Sequence, residues 1–347
     1  MKNVLNTRMG GVKLLLLGCV IALGVSQFSK IEEPQLKING ISLVASGTPL
    51  LDSAISPIIH VAANHAALMP FGFMKSLDDT MILHNSNRHW YGETVEGILQ
   101  YGKLLKQNNI ALMIKPQIWV SQGEFTGDIS MHSEKEWIAF EKQYSAFILT
   151  YAQAAADLDA ELFCIGTELK VAVNKRPTYW KSLIHEVRKI YKGKITYAAN
   201  WDSYTTVSFW EDLDYIGVDA YFPLSDRKTP TTEECKLGWQ THKEKLKSLA
   251  TRENKKILFT EYGYCSTDYA AHEPWNPPRG EVNLEAQTNG LEALHQEFWQ
   301  EDWFAGGYVW KWFHDHKKSG GHGQSRFTPQ NKPAEEILKL SMQKAKQ

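Results

Sequence analysis

Eight short apolar runs alternate with amphipathic helical stretches along this chain, and the alternation restricts the possible folds more than any single motif. The runs cover residues 41–45, 65–70, 110–120, 162–168, 195–201, 215–222, 257–262 and 304–313. Helical spacing of apolar residues occupies 53–63, 93–107, 135–158, 178–191, 232–251, 284–299 and 333–344. In 135–158, for example, Trp137, Phe140, Tyr144, Phe147 and Ile148 share one helical face. Strand followed by helix, repeated, is the pattern of βαβ units, whose strands pair in parallel. Eight such units can close into a barrel and leave no exposed edge. The competing arrangement is an open doubly wound sheet. It is disfavoured by the strand count and by the lack of a glycine-rich phosphate turn. The fold read from the sequence is therefore α/β, a (β/α)8 TIM barrel in a single domain over 31–347. A chain of 347 residues accommodates such a barrel together with a leader and loop insertions.

The leader is residues 1–30. Lys2, Arg8 and Lys13 form a basic start, followed by an apolar run from 14 to 25. Twelve residues fall short of the roughly 20 that span a bilayer, and they suit the apolar segment of a signal peptide. Gly24, Val25 and Ser26 offer small residues for cleavage. An uncleaved anchor is the alternative. The expectation is an exported protein: periplasmic, extracellular or anchored at the envelope. Beyond the leader, Cys164, Cys235 and Cys265 form an odd set without CxxC spacing, which gives neither a disulfide framework nor a zinc site.

A net charge of −1 leaves no basic footprint for nucleic acid. The aromatic content points elsewhere. Twelve Trp and fourteen Tyr exceed what an average core needs, and flat amphipathic rings stack well on sugars as well as on one another.

In a barrel of this kind the reacting groups sit where strands end and the following loops begin. The polar and aromatic residues at those ends are Gln117, Trp119, Thr167, Glu168, Asn200, Trp201, Asp219, Tyr221, Glu261, Tyr262, Tyr264, Trp310 and Trp312. Glu168 and Glu261 each close an apolar strand, where a carboxylate is costly unless it is paired or used. They lie three strands apart, so they can face each other across the mouth. One would protonate a leaving oxygen while the other attacks the anomeric carbon or activates water.

Glu168 in Cys-Ile-Gly-Thr-Glu-Leu, with Glu261 in Phe-Thr-Glu-Tyr-Gly-Tyr, resembles the clan A glycoside hydrolases, and within them glycoside hydrolase family 113. The resemblance runs over about residues 38–342. It takes in Ala-Leu-Met-Pro-Phe-Gly-Phe at 67–73, His-Trp-Tyr-Gly-Glu at 89–93, Met-Ile-Lys-Pro at 113–116 and Tyr-Ala-Ala-Asn-Trp at 197–201. It continues through Ile-Gly-Val-Asp-Ala-Tyr-Phe-Pro at 216–223 and Gly-Gly-Tyr-Val-Trp-Lys-Trp at 306–312. It implies a retaining endo-β-1,4-mannanase with Glu168 as acid/base and Glu261 as nucleophile, with no cofactor and with a polysaccharide or oligosaccharide as partner. It also implies that Tyr221 hydrogen-bonds the nucleophile and that a Trp at the end of the eighth strand floors the reacting sugar. Trp310 and Trp312 share strand parity, so both are candidates for that floor.

Two positions depart from the clan. Thr167 stands where Asn is common, with a shorter reach toward a sugar 2-hydroxyl, and Gln117 stands where His is common. Gln117, Trp119, Thr167, Asn200, Trp201, Tyr221, Trp310 and Trp312 form the expected substrate-binding set. The alternatives are a carbohydrate-binding protein on an inactive barrel, or a glycosidase for another β-linked hexose polymer. His314, Asp315, His316 and His322 are read as a polar loop rather than a metal site.

Overall fold

The structure, a computed structural model, describes residues 36–276 and 280–344. Leu36–Gln347 forms one compact unit. The leader expected over 1–30 lies outside the described residues. Among the described residues no helix is long and apolar enough to cross a membrane.

Ten strands form. They are β1 (Ile38–Leu43), β2 (His65–Leu68), β3 (Phe71–Met74), β4 (Ala111–Ile114), β5 (Gln117–Val120) and β6 (Leu162–Thr167), followed by β7 (Lys194–Asn200), β8 (Ile216–Asp219), β9 (Ile257–Tyr262) and β10 (Phe304–Trp312). Eight of them close a barrel in the order β1, β2, β4, β6, β7, β8, β9, β10 and back to β1, and the paired registers are all parallel. The molecule is thus the (β/α)8 barrel read from the alternation. Both faces of each barrel strand are buried, which is why the strands read as nearly unbroken apolar runs.

One strand expected from the sequence divides in the structure, and a further strand forms beyond the end of another. The run 110–120 breaks at Lys115–Pro116 into β4 and β5, and β3 continues the 65–70 run beyond Pro70. Proline has no N–H for a ladder, so Pro70 and Pro116 end the barrel portion of both neighbours at matching heights. Beyond them β3 and β5 pair with each other as a separate two-stranded sheet, with Phe71 opposite Gln117 and Phe73 opposite Trp119. This extension stands above the barrel mouth and carries Gln117 and Trp119.

Eight α-helices wrap the barrel: α1 (Ile55–His60), α2 (Val95–Gln107), α3 (Glu134–Asp157), α4 (Lys170–Lys175), α5 (Pro177–Ile190), α6 (Thr232–Glu253), α7 (Leu284–Phe298) and α8 (Pro333–Lys344). Four of their starts carry side-chain caps. Thr94 accepts from Gly97 N–H, Ser133 from Glu136 N–H, and Thr231 with Glu234 closes a reciprocal capping box. The β7–β8 connection holds only two 3-10 turns. Two layers of core result. Side chains such as Ala67, Met113, Cys164, Ala198, Leu258 and Tyr308 fill the barrel interior. A larger shell, including Trp137, Phe147, Trp180, Trp239 and Phe298, fills the space between barrel and helices. Tyr308 requires Gly40 on the adjacent strand, since a Cβ there would lie 2.3 Å from its ring.

Candidate active site

A cleft of about 780 Å³ opens at the ends of the barrel strands. Gln117, Trp119, Thr167, Glu168, Asn200, Trp201, Tyr221, Glu261 and Trp310 all line it. One expected binding residue does not. Trp312 is fully buried in the core and lies outside the cleft lining. The register explains the correction. Ile41 pairs with Val309, but Leu43, two residues on, pairs with Trp312, three residues on. The extra residue in β10 reverses the side-chain alternation, so Trp310 and Trp312 no longer share a face. The intervening Trp310–Lys311 peptide is cis.

The two glutamates sit in contrasting surroundings. Glu261, on β9, is buried and held at both oxygens. Its Oε1 accepts from the ammonium of Lys115 and from Gln117 Nε2 at 2.8 Å, and its Oε2 accepts from the Tyr221 hydroxyl at 2.8 Å. Three donors, one of them a cation, favour the ionised carboxylate. Lys115 is itself fully buried. Its Nζ also lies 3.4 Å from both carboxylate oxygens of Asp219, and Asp219 Oδ1 accepts from the Thr260 hydroxyl at 2.7 Å. Burial works against the Lys115 charge, but Asp219 and Glu261 outweigh it and hold the ammonium protonated.

Glu168 follows β6 directly. Its backbone is left-handed, with φ 56°, and its N–H donates to Ala198 O at 2.8 Å. That conformation costs a non-glycine residue about 1–2 kcal/mol. It turns the chain out of the strand just where the side chain reaches the cleft. The Glu168 carboxyl accepts no protein hydrogen bond among the described residues. Removal from water, then the negative charges of Asp219 and Glu261, push it well above the usual carboxylate range. Burial and like charge thus favour the protonated form of Glu168, while the Glu261 carboxylate is bonded by three donors. Two carboxyl groups in one cleft with such different surroundings suit an acid and a nucleophile or base.

Aromatic rings flank the pair. Trp119 on the β3–β5 extension is 52% exposed. Elsewhere in the lining, Trp201 stacks on Trp275, with ring centres 4.8 Å apart. Thr167 Oγ1 is buried without a hydrogen-bond partner, and Asn200 Oδ1 accepts from Trp201 N–H at 2.9 Å. Sequence reasoning named Asp219 as a strand-end residue and Lys115 within the 113–116 motif but gave neither a role, and it passed over Trp275. A lysine directly after the apolar strand Ala111–Ile114 was the available signal, because a buried ammonium must have carboxylate partners. Trp275 lies on a long loop, where sequence carries no periodicity to place it. Among the described residues no group of three or more His, Cys, Asp or Glu is arranged to hold a metal. His316 instead bonds Glu335 at 2.7 Å.

Fold and site together define a barrel glycoside hydrolase. The model of glycoside hydrolase family 113 matches residues 51–332, and the chain belongs to that family. Among solved structures, the family 113 β-mannanase AaManA from Alicyclobacillus acidocaldarius, in complex with ManMIm, superposes with a TM-score of 0.77 at 24% identity. The match covers 89% of this chain and 98% of that one. A complex of a family 113 β-1,4-mannanase gives 0.76 at 20% identity over 89% and 99%. A β-glucuronidase from Ruminococcus gnavus gives 0.58 at 13% identity, covering 84% of this chain and 46% of its own. No curated protein matches the sequence.

Proposed function

We propose that this glycoside hydrolase is a retaining endo-β-1,4-mannanase that works by double displacement. The observation that carries the reading is the opposed environment of two glutamates lining one cleft. Glu261 accepts hydrogen bonds from Lys115, Gln117 and Tyr221, and Glu168 is desolvated beside negative charge. In the first step Glu261 attacks the anomeric carbon and Glu168 gives its proton to the departing glycosidic oxygen. An ester to the sugar forms and the aglycone alcohol leaves. Esterification removes the charge of Glu261, so Glu168, now ionised, has one less negative neighbour and serves as base. It takes a proton from water, the water oxygen attacks the anomeric carbon, and Glu261 is released as carboxylate.

The choice of a mannan rests on the two family 113 structures, both described as mannanases. The endo mode is supported by cleft size. About 780 Å³ lies high in the range of ligand pockets and exceeds the need of one hexose ring. Trp119 and the Trp201–Trp275 pair provide stacking surfaces in the same lining as the glutamates. The basic and apolar leader supports export, with the polymer met outside the cytoplasm.

A polysaccharide panel with reducing-end readout tests the substrate, with cleavage of β-1,4-mannan or glucomannan in preference to xylan and β-glucans expected. Glu168→Ala and Glu261→Ala should each lower turnover by about 10³-fold or more. Azide should rescue Glu261→Ala with an inverted glycosyl azide and Glu168→Ala with a retained one. Wild-type turnover in both variants would remove the assignment. Mannan binding without hydrolysis by the wild type would favour a carbohydrate-binding protein.

A further inference from the structure

We propose that Asp219 is the standby partner of Lys115: while Glu261 is esterified to the sugar, the Lys115 ammonium turns from Glu261 to Asp219. The inference rests on the double-displacement reading and adds to it two positioning residues beneath the nucleophile.

Lys115 is fully buried, and among the described residues its ammonium has two carboxylate partners. One is Glu261, whose Oε1 it bonds directly. The other is Asp219, also fully buried, whose two oxygens both lie 3.4 Å from Nζ. That separation exceeds the roughly 2.7–3.2 Å of an ordinary N–H···O bond, so the ammonium leans on Glu261 and keeps Asp219 in reserve. The Thr260 hydroxyl donates to Asp219 Oδ1 at 2.7 Å and holds that carboxylate in place. Strand register sets the two acids side by side. Val218 pairs with Phe259, but Asp219, one residue on, pairs with Glu261, two residues on. The extra residue in β9 brings the carboxylates level, and Lys115, directly after β4, reaches both.

The chemistry makes the second partner necessary. Glu261 starts as the attacking carboxylate and becomes a neutral ester when its oxygen bonds the anomeric carbon. Of its three donors, Gln117 and Tyr221 are neutral and need no counter-charge. Lys115 carries a full charge, and a buried ammonium without a carboxylate is costly. Closing the gap to Asp219 supplies one. Lys115 keeps all its protons throughout. Only its hydrogen bond moves, and it moves back when water releases the Glu261 carboxylate. Asp219 thus stabilises the covalent intermediate, the state in which Glu261 carries no charge.

The test uses the full chain at about pH 8. Burial, then the charge of Glu261, raise Asp219 to about 7, so at this pH it is ionised before the reaction starts. The probe is the 2-deoxy-2-fluoro glycosyl fluoride of the disaccharide unit of whichever polysaccharide is cleaved, mannobiose being expected. Fluorine at C2 slows both steps, and fluoride leaves without a proton from Glu168, so the ester accumulates on Glu261. A crystal structure of the trapped wild type should show Lys115 Nζ within about 3 Å of an Asp219 oxygen and withdrawn from Glu261. An ester with Lys115 unmoved overturns the proposal. Asp219→Asn gives an independent measure. It should lower the ratio of trapping rate to reactivation rate by about 10-fold or more, because the intermediate alone loses its counter-charge. A merely structural role for Asp219 would displace Glu261, slow both steps and leave the ratio at the wild-type value, and that result also overturns the proposal. If Asp219→Asn does not fold, the trapped wild-type structure decides. A wild type that hydrolyses its polymer but forms no ester on Glu261, read by mass spectrometry, removes the double-displacement reading and the hand-off with it. An ester beside an unmoved Lys115 removes the hand-off alone.

Discussion

Tyr221 and Gln117 share the task of holding Glu261, one at each oxygen. A hydrogen bond to a charged group contributes about 1.5–3 kcal/mol. Tyr221→Phe keeps the ring and removes only that donor. It should therefore lower kcat by about 10- to 100-fold with a smaller change in KM, as steady-state kinetics on a manno-oligosaccharide would measure. An unchanged kcat would mean that Lys115 and Gln117 suffice. The two glutamates were legible from sequence because a carboxylate closing an apolar strand is conspicuous. Lys115 was not, since a single lysine between a strand and a proline looks like an ordinary strand end. Its partners, Asp219 and Glu261, lie 104 and 146 residues away.

At the scale of elements, the barrel strands were visible in their apolar runs, but two of their ends were not. Pro70 and Pro116 are each a plain break signal. Only pairing between Phe71–Met74 and Gln117–Val120 turns the segments beyond them into a second small sheet that lifts Trp119 over the cleft. The same limit applies to Trp312. Period-two alternation assumes a regular strand, and the additional residue between Val309 and Trp312 appears only in the register against β1. Helix caps, by contrast, are local chemistry. The box of Thr231 and Glu234 at the start of α6 is exposed and makes few other contacts. Thr231→Ala should therefore cost about 1 kcal/mol, measured by denaturant unfolding, with little effect on turnover. A loss of activity at unchanged stability would contradict that division between scaffold and site.

For the whole molecule, the cleft is a place where stability is given up. Glu168 has a folded pKa well above its value in an unfolded chain, so the folded state binds more protons between those two values. Stability is then greatest below the ordinary carboxylate range and declines as pH rises toward the raised folded value. Glu168→Gln carries no such ionisation. Its Tm should exceed that of the wild type by a margin that grows as pH rises above the ordinary carboxylate range, as calorimetric scans would record; a constant margin would contradict the desolvated acid. Barrel closure supplies the rigidity that tolerates this site, with eight parallel strands and two concentric cores keeping Glu168 and Glu261 on strands set apart. The sequence by itself determined the alternation and the two strand-end carboxylates, because periodicity and the cost of an apolar-strand glutamate are local properties. Tertiary structure alone decided which aromatic faces the cleft, how the β3–β5 extension forms and where the charge of Lys115 goes. Those outcomes depend on register and on through-space pairing between residues far apart in the chain, which no local pattern records.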